Sequence, residues 1–217
     1  MFILTQQNTI ANHFLAELRN KIVQKDRSRF RNNLERLGEI LAYELSKTLD
    51  FQPAKINTPL GTATTNLLIK QPTLVCVMRA GLPFYQGFQT VFSEAESAFI
   101  GAFRGEPNAN HEFEIEMHYA AVPNLDGKPL IIIDPMLATG KSIVSSYHSL
   151  LKYGTPSQVH IAAVIASRTG VNYLESSIPD ASLWIGDIDE ELNHKFYIVP
   201  GLGDAGDLAF GEKLYDK

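Results

Sequence analysis

The stretch that decides the fold is LIIIDPMLATGKS, Leu130 to Ser142, in which four apolar residues lead into an acid and a short loop. A continuous apolar run of this length, closed by turn-forming residues, reads as a strand buried on both faces. Its last three letters, Gly140-Lys141-Ser142, are also how a triphosphate-binding P-loop ends. Such a loop needs a glycine five positions before Gly140, and that position is Pro135. Proline has a fixed φ and no N–H, so the first half of a triphosphate cradle is missing. What remains is a loop through Thr139 and Gly140 into a helix predicted over about 141–153. A helix start offers free N–H groups and a positive dipole end, which suit one phosphate monoester.

Outward from this stretch the same texture repeats. TTNLLI at 64–69, TLVCVM at 73–78, SAFIGAF at 97–103, VHIAAVIA at 159–166 and ASLWIG at 181–186 read as strands. Helical segments fall between several of them, at about 80–92 and 169–177. Apolar strands alternating with helices predict an α/β fold, a mainly parallel central sheet flanked by helices. Upstream, Phe30, Leu34, Leu37, Leu41 and Leu45 recur at helical spacing, so N-terminal helices are expected over about 9–49. The 217 residues fit a single domain, 1–217, large enough for a real core.

Ligands of parallel sheets bind beyond the carboxyl ends of the strands. That rule selects Arg79, Arg104 and Asp134, each following an apolar run. Two guanidiniums at equivalent strand ends could converge on one polyanion. A second binding loop is expected in YIVPGLGDAGD, Tyr197 to Asp207, where three glycines and a proline let the backbone approach a ligand closely. HEFEIEMHY at 111–119 alternates charged and apolar residues at period two, a strand with one wet face. With the preceding loop RGEPNAN at 104–110 it forms an arm or flap over about 104–122. A solvated face explains its glutamates and histidines better than a metal site, whose tight ligand spacing is absent.

A net charge of −5 argues against a general nucleic-acid binder. The single cysteine, Cys76, rules out a disulfide framework and points to a cytoplasmic protein. No apolar run approaches membrane-spanning length, so no membrane association is expected.

MRAGL at 78–82, Phe103-Arg104, DPMLATGKS at 134–142 and IDEELNHKFYIVPGLGDAGD at 188–207, in this order, resemble the uracil phosphoribosyltransferase family. RSRFRNNLERLGEILAYE at 27–44 fits its N-terminal helix less specifically. The resemblance implies the type I phosphoribosyltransferase fold and a reaction of uracil with 5-phosphoribosyl-1-diphosphate (PRPP). It assigns the segment Asp134, Pro135, Met136, Leu137, Ala138, Thr139, Gly140, Lys141 and Ser142 to PRPP. Within it, Ala138 to Ser142 would cradle the 5′-phosphate and Asp134 would meet the ribose hydroxyls. Arg79 and Arg104 would face the diphosphate, and Ile198, Gly203, Asp204 and Ala205 the uracil ring, with Asp204 also touching PRPP. Mg²⁺ would be carried mainly by PRPP, with no protein metal ligand, and a homodimer or higher homo-oligomer is implied. Orotate is expected to fail, its carboxylate entering a pocket with no evident cation. Two departures stand out: Lys141 replaces a glycine common in this loop, and Met117-His118 stand where many relatives carry a lysine. Two other readings are a catalytically weak nucleotide-sensing regulator of the same fold, and a P-loop kinase, which Pro135 opposes.

Overall fold

The computed structural model describes residues 1–107 and 113–213, and for 102–107 and 113–118 the backbone alone. The chain opens with β1 (Phe2–Ile3), α1 (Ala11–Arg19) and α2 (Arg27–Ser46). α2 starts where Asp26 accepts the Arg29 N–H at 3.0 Å, satisfying one donor that a helix start leaves free. All five apolar residues singled out for their spacing, from Phe30 to Leu45, are buried along its inner face.

β2 (Phe51–Thr58) and β3 (Gly61–Leu68) then form a two-stranded sheet of their own, exposed along nearly its whole length. This corrects the expectation that 64–69 belongs to the central sheet. Only four residues separate Leu68 from Thr73, too few for the crossover that parallel neighbours require, so the segment pairs back on 51–58.

β4 (Thr73–Met78), α3 (Gly81–Val91) and β5 (Glu96–Pro107) make the first parallel crossover, and β6 (Phe113–Ala121) returns antiparallel to β5. The alternation continues through β7 (Pro129–Ile133), β8 (Met136–Leu137), α4 (Lys141–Leu150), β9 (Gln158–Ser167), α5 (Arg168–Ser177) and β10 (Ser182–Asp189). A small antiparallel pair, β11 (Glu191–Leu192) and β12 (Ile198–Val199), precedes α6 (Ala205–Phe210). The main sheet runs β1-β10-β9-β7-β4-β5-β6, with β8 beside β9, and all its pairs except β5–β6 are parallel.

The buried strand at the centre explains its own composition. Ile131 and Ile133 enter the core shared with Leu37 of α2 and Phe84 of α3, while Leu130 and Ile132 enter the one shared with Ile143 of α4 and Leu174 of α5. Both faces are apolar because helices cover both. α2 and α3 cross so closely that a Cβ at Gly38 or Gly87 would overlap backbone of the other helix.

β5 corrects a second expectation. Residues 104–107 are strand rather than loop, since β5 runs on to Pro107 by pairing with β6 as an arm. The register sets Met78 beside Gly101, so Arg104 lies within the arm and not level with Arg79. Residues 108–112, His111 among them, lie outside the described residues, as do the side chains of Arg104, Met117 and His118.

Candidate active site

The carboxyl ends of the parallel strands deliver the site. β7 stops at Ile133, and the Asp134 N–H still pairs with the Ala162 carbonyl at 3.1 Å. The Pro135 carbonyl accepts the Val164 and Ile165 N–H groups, both at 3.0 Å, so this residue belongs to the sheet and its side chain is buried. Leu137 is also buried, in the core against α4 and α5. The side chains facing the opening therefore alternate, and Asp134, Met136, Ala138 and Ser142 line a cleft. Gly140 has φ +76° and turns the chain into α4. The Ala138 carbonyl is turned away, accepting the Ser167 hydroxyl at 2.5 Å. Thr139 Oγ1 accepts the Lys141 N–H at a long 3.4 Å, and its own proton stays available to an anion. Lys141 is exposed on the first turn of α4.

The cleft has two connected parts, of about 360 Å³ and about 140 Å³, which share Ala80, Asp134, Ser142, Asp204, Gly206 and Lys213. The larger alone is walled by Phe196, Tyr197, Ile198, Gly203 and Ala205, and the smaller alone by Val77, Met78 and Arg79. The sequence-selected residues Arg79, Asp134, Ser142, Ile198, Gly203, Asp204 and Ala205 thus come together. Thr139, Gly140 and Lys141 sit at the rim of the same loop without lining either part. Asp204 caps α6, its Oδ1 accepting the Asp207 N–H at 2.9 Å. Gly203 holds φ +98° just before that cap.

Arg79 brings in residues that the sequence reading did not select. Its Nη2 donates to Asp207 Oδ1 at 2.8 Å and its Nη1 to the Gly211 carbonyl at 3.3 Å, while its buried Nε has no partner among the described residues. Asp207 stood inside YIVPGLGDAGD, and the second acid of a glycine-spaced pair was a signal that could have been followed. Lys195 and Lys213 also line the cleft, the first from within the 188–207 stretch, where no role was given to it, and the second from beyond every motif.

Burial pushes the Asp134 carboxyl up to about 7, against which only the Met136 N–H, donating to it at 3.1 Å, lowers the value. An acid whose folded pKa is raised loses stability for the fold as pH climbs from its unfolded value toward the folded one. Asp134's contribution to the stability of the ligand-free protein is therefore expected to fall between about pH 4 and 7, and Asp134→Asn to remove that part of the pH dependence. Thermal melts should show Asp134→Asn more stable than wild type at pH 8, by up to about 4 kcal/mol for a carboxyl raised by about three pKa units, and equal to it at pH 4. Identical pH slopes in the two proteins would refute the buried-acid assignment.

Fold and cleft together are those of a type I phosphoribosyltransferase, with the loop between β7 and α4 facing a separate, glycine-lined wall. A family profile described as uracil phosphoribosyltransferase matches residues 4–212. The chain belongs to the uracil phosphoribosyltransferase family. It is 45% identical over 212 residues to a uracil phosphoribosyltransferase of Porphyromonas gingivalis, covering 97% of this chain and 98% of that one. It is 39% identical over 204 residues to one of Pyrococcus furiosus, covering 92% and 85%. A solved structure of a protein from Aquifex aeolicus superposes with a TM-score of 0.86 at 31% identity, covering 99% of this chain and all of that one.

Proposed function

We propose that the whole chain works as one pyrimidine-salvage enzyme, transferring the phosphoribosyl group of PRPP to N1 of uracil and releasing UMP and diphosphate. The observation that carries the reading is the single cleft walled by the phosphate-loop residues Asp134 and Ser142, by Arg79, and by Ile198, Gly203 and Ala205. The names of the relatives at 39–45% identity support it independently.

The chemistry fits the residue types. Breaking the bond between ribose C1 and the diphosphate oxygen builds positive charge on the sugar and negative charge on the leaving group. Uracil N1 then bonds to C1 and gives up its proton. The 5′-phosphate would sit on the α4 start, with the Thr139 and Ser142 hydroxyls adding donors. Asp134, ionised above about pH 7, would accept the ribose hydroxyls. Arg79 and Arg104 would stabilise the diphosphate charge. Mg²⁺ enters on PRPP and screens the same charge. A substrate-borne ion fits a cleft that brings two carboxylates, Asp134 and Asp204, beside Ser142. Uracil presents acceptor, donor, acceptor along O4, N3–H and O2, a pattern that the backbone around Ile198, Gly203, Asp204 and Ala205 can complement. Cytosine reverses part of it and would leave buried polar groups unpaired.

The test is direct: purified protein with uracil, PRPP and Mg²⁺ should yield UMP and diphosphate. Tight UMP binding without turnover would instead favour a regulator. Lys141→Gly is expected to retain UMP synthesis within about threefold, because backbone N–H groups and hydroxyls make the cradle. ATP hydrolysis that vanishes in this variant would overturn the reading of the loop.

Phe51, Ile56, Leu60 and Leu67 are exposed on the hairpin β2–β3, and an isolated two-stranded sheet is marginal in water. This supports a homodimer or higher oligomer in which a second copy covers the hairpin. No helix among the described residues is long and apolar enough to cross a membrane. A cytoplasmic location, without nucleic-acid partners, suits the substrates.

A further inference from the structure

We propose that Arg19 and Asp189 are positioning residues for base recognition, clamping Gly201 and so fixing the turn Gly203–Ala205 against the ring. The inference rests on the assignment of that turn to uracil. Neither residue lines the cleft.

Asp189 ends β10, with 7% of its side chain exposed. Its carboxylate meets the Arg19 guanidinium in a two-pronged pair, Nη1 to Oδ2 at 2.8 Å and Nη2 to Oδ1 at 2.9 Å. The same Oδ2 accepts the Gly201 N–H at 2.9 Å, and the same Nη1 donates to the Gly201 carbonyl at 3.0 Å. One ion pair thus holds both polar backbone groups of one residue. Gly201 has φ +57°, and a Cβ there would overlap the Ile198 carbonyl, so the bend admits little else.

The rest of the network fixes the arginine. Asp187 accepts Arg19 Nη2 at 2.7 Å and is itself held by the Thr5 hydroxyl at 2.7 Å. Arg19 is the last residue of α1, so the N-terminal helix reaches the loop across the sheet edge. A pair this dry repays its lost hydration only where further hydrogen bonds complete it. Here those bonds go to Gly201 and Asp187. The loop's ends are secured separately, by β11–β12 before it and the Asp204 cap after it. Gly201 lies between, and nothing else described holds its amide and its carbonyl together.

The test uses Arg19→Lys and Asp189→Asn, with uracil and PRPP varied separately, and hydrogen exchange of peptides covering 198–207. Lys keeps the charge but loses the fork, and Asn keeps the shape but loses the charge. Each variant is expected to raise the uracil KM about tenfold and the PRPP KM several-fold less, since of the turn only Asp204 is shared with PRPP. Exchange across 198–207 should quicken about tenfold while α4 is unchanged. Equal rises in both KM values would overturn the base-recognition role, and unchanged exchange would overturn the clamp itself. A wild-type protein that bound PRPP and made no UMP would refute the uracil assignment, leaving the exchange result to judge the clamp alone.

Discussion

Arg79→Ala is expected to lower kcat for UMP formation roughly 10²–10³-fold, about 3–4 kcal/mol of transition-state stabilisation, while the uracil KM changes little. The reason is where the charge develops. Arg79 follows the last residue of β4 and lines the smaller part of the cleft, beside Asp134 and Ser142. A cation there matters little to a neutral base and much to a departing diphosphate.

The guanidinium is already aimed. Asp207 takes one proton of Nη2 at 2.8 Å and the Gly211 carbonyl one of Nη1 at 3.3 Å, so each terminal nitrogen keeps a second donor. Truncation would leave the Asp207 carboxylate unpaired near the growing negative charge, so part of the loss is repulsion. Arg79→Ala with Asp207→Asn is therefore expected to be about tenfold faster than Arg79→Ala alone. Arg104→Ala is the companion variant, on the strength of the family motif. Wild-type turnover in both arginine variants would remove them from the diphosphate site.

The central sheet was legible because strands buried on both faces must be apolar throughout, and LIII, TLVCVM and VHIAAVIA carry that mark. The hairpin β2–β3 was misread for a related reason. TTNLLI has strand composition, and composition does not say which sheet a strand joins. Arg104 was misplaced because the sequence does not show where β5 stops being sheet and becomes arm. The motif residues around the cleft were legible because they sit in short local stretches that resemble one family, and those stretches come together at the cleft. Their supports were not. Arg19 and Asp189 stand 170 residues apart, and nothing near either marks it as the other's partner. The orotate argument also shifts, since Lys195 and Lys213 line the cleft that was expected to lack a cation.

Gly203→Val is expected to lower uracil use by at least about a hundredfold with the protein still folded. Gly203 holds φ +98°, which a β-branched residue reaches only at a cost of about 1–3 kcal/mol. The nearest atom to an added Cβ is Leu208 Cδ1 at 3.8 Å, so the first carbon meets no wall within the protein. What suffers is the turn and the space in front of it. Relaxing φ would move the amides of Asp204 and Ala205, and a shift of about 1 Å in a positioned group is enough for a hundredfold loss. The valine branches would also project toward the cleft that Gly203 lines. Ile198→Val is the control. Ile198 is buried in β12, its backbone is held by pairing with Leu192, and losing one methylene should leave the uracil KM within about threefold. A panel of uracil, 5-fluorouracil, cytosine and orotate against both variants and wild type decides the matter. Full activity of Gly203→Val, or efficient use of cytosine by the wild type, would show that side chains elsewhere select the base.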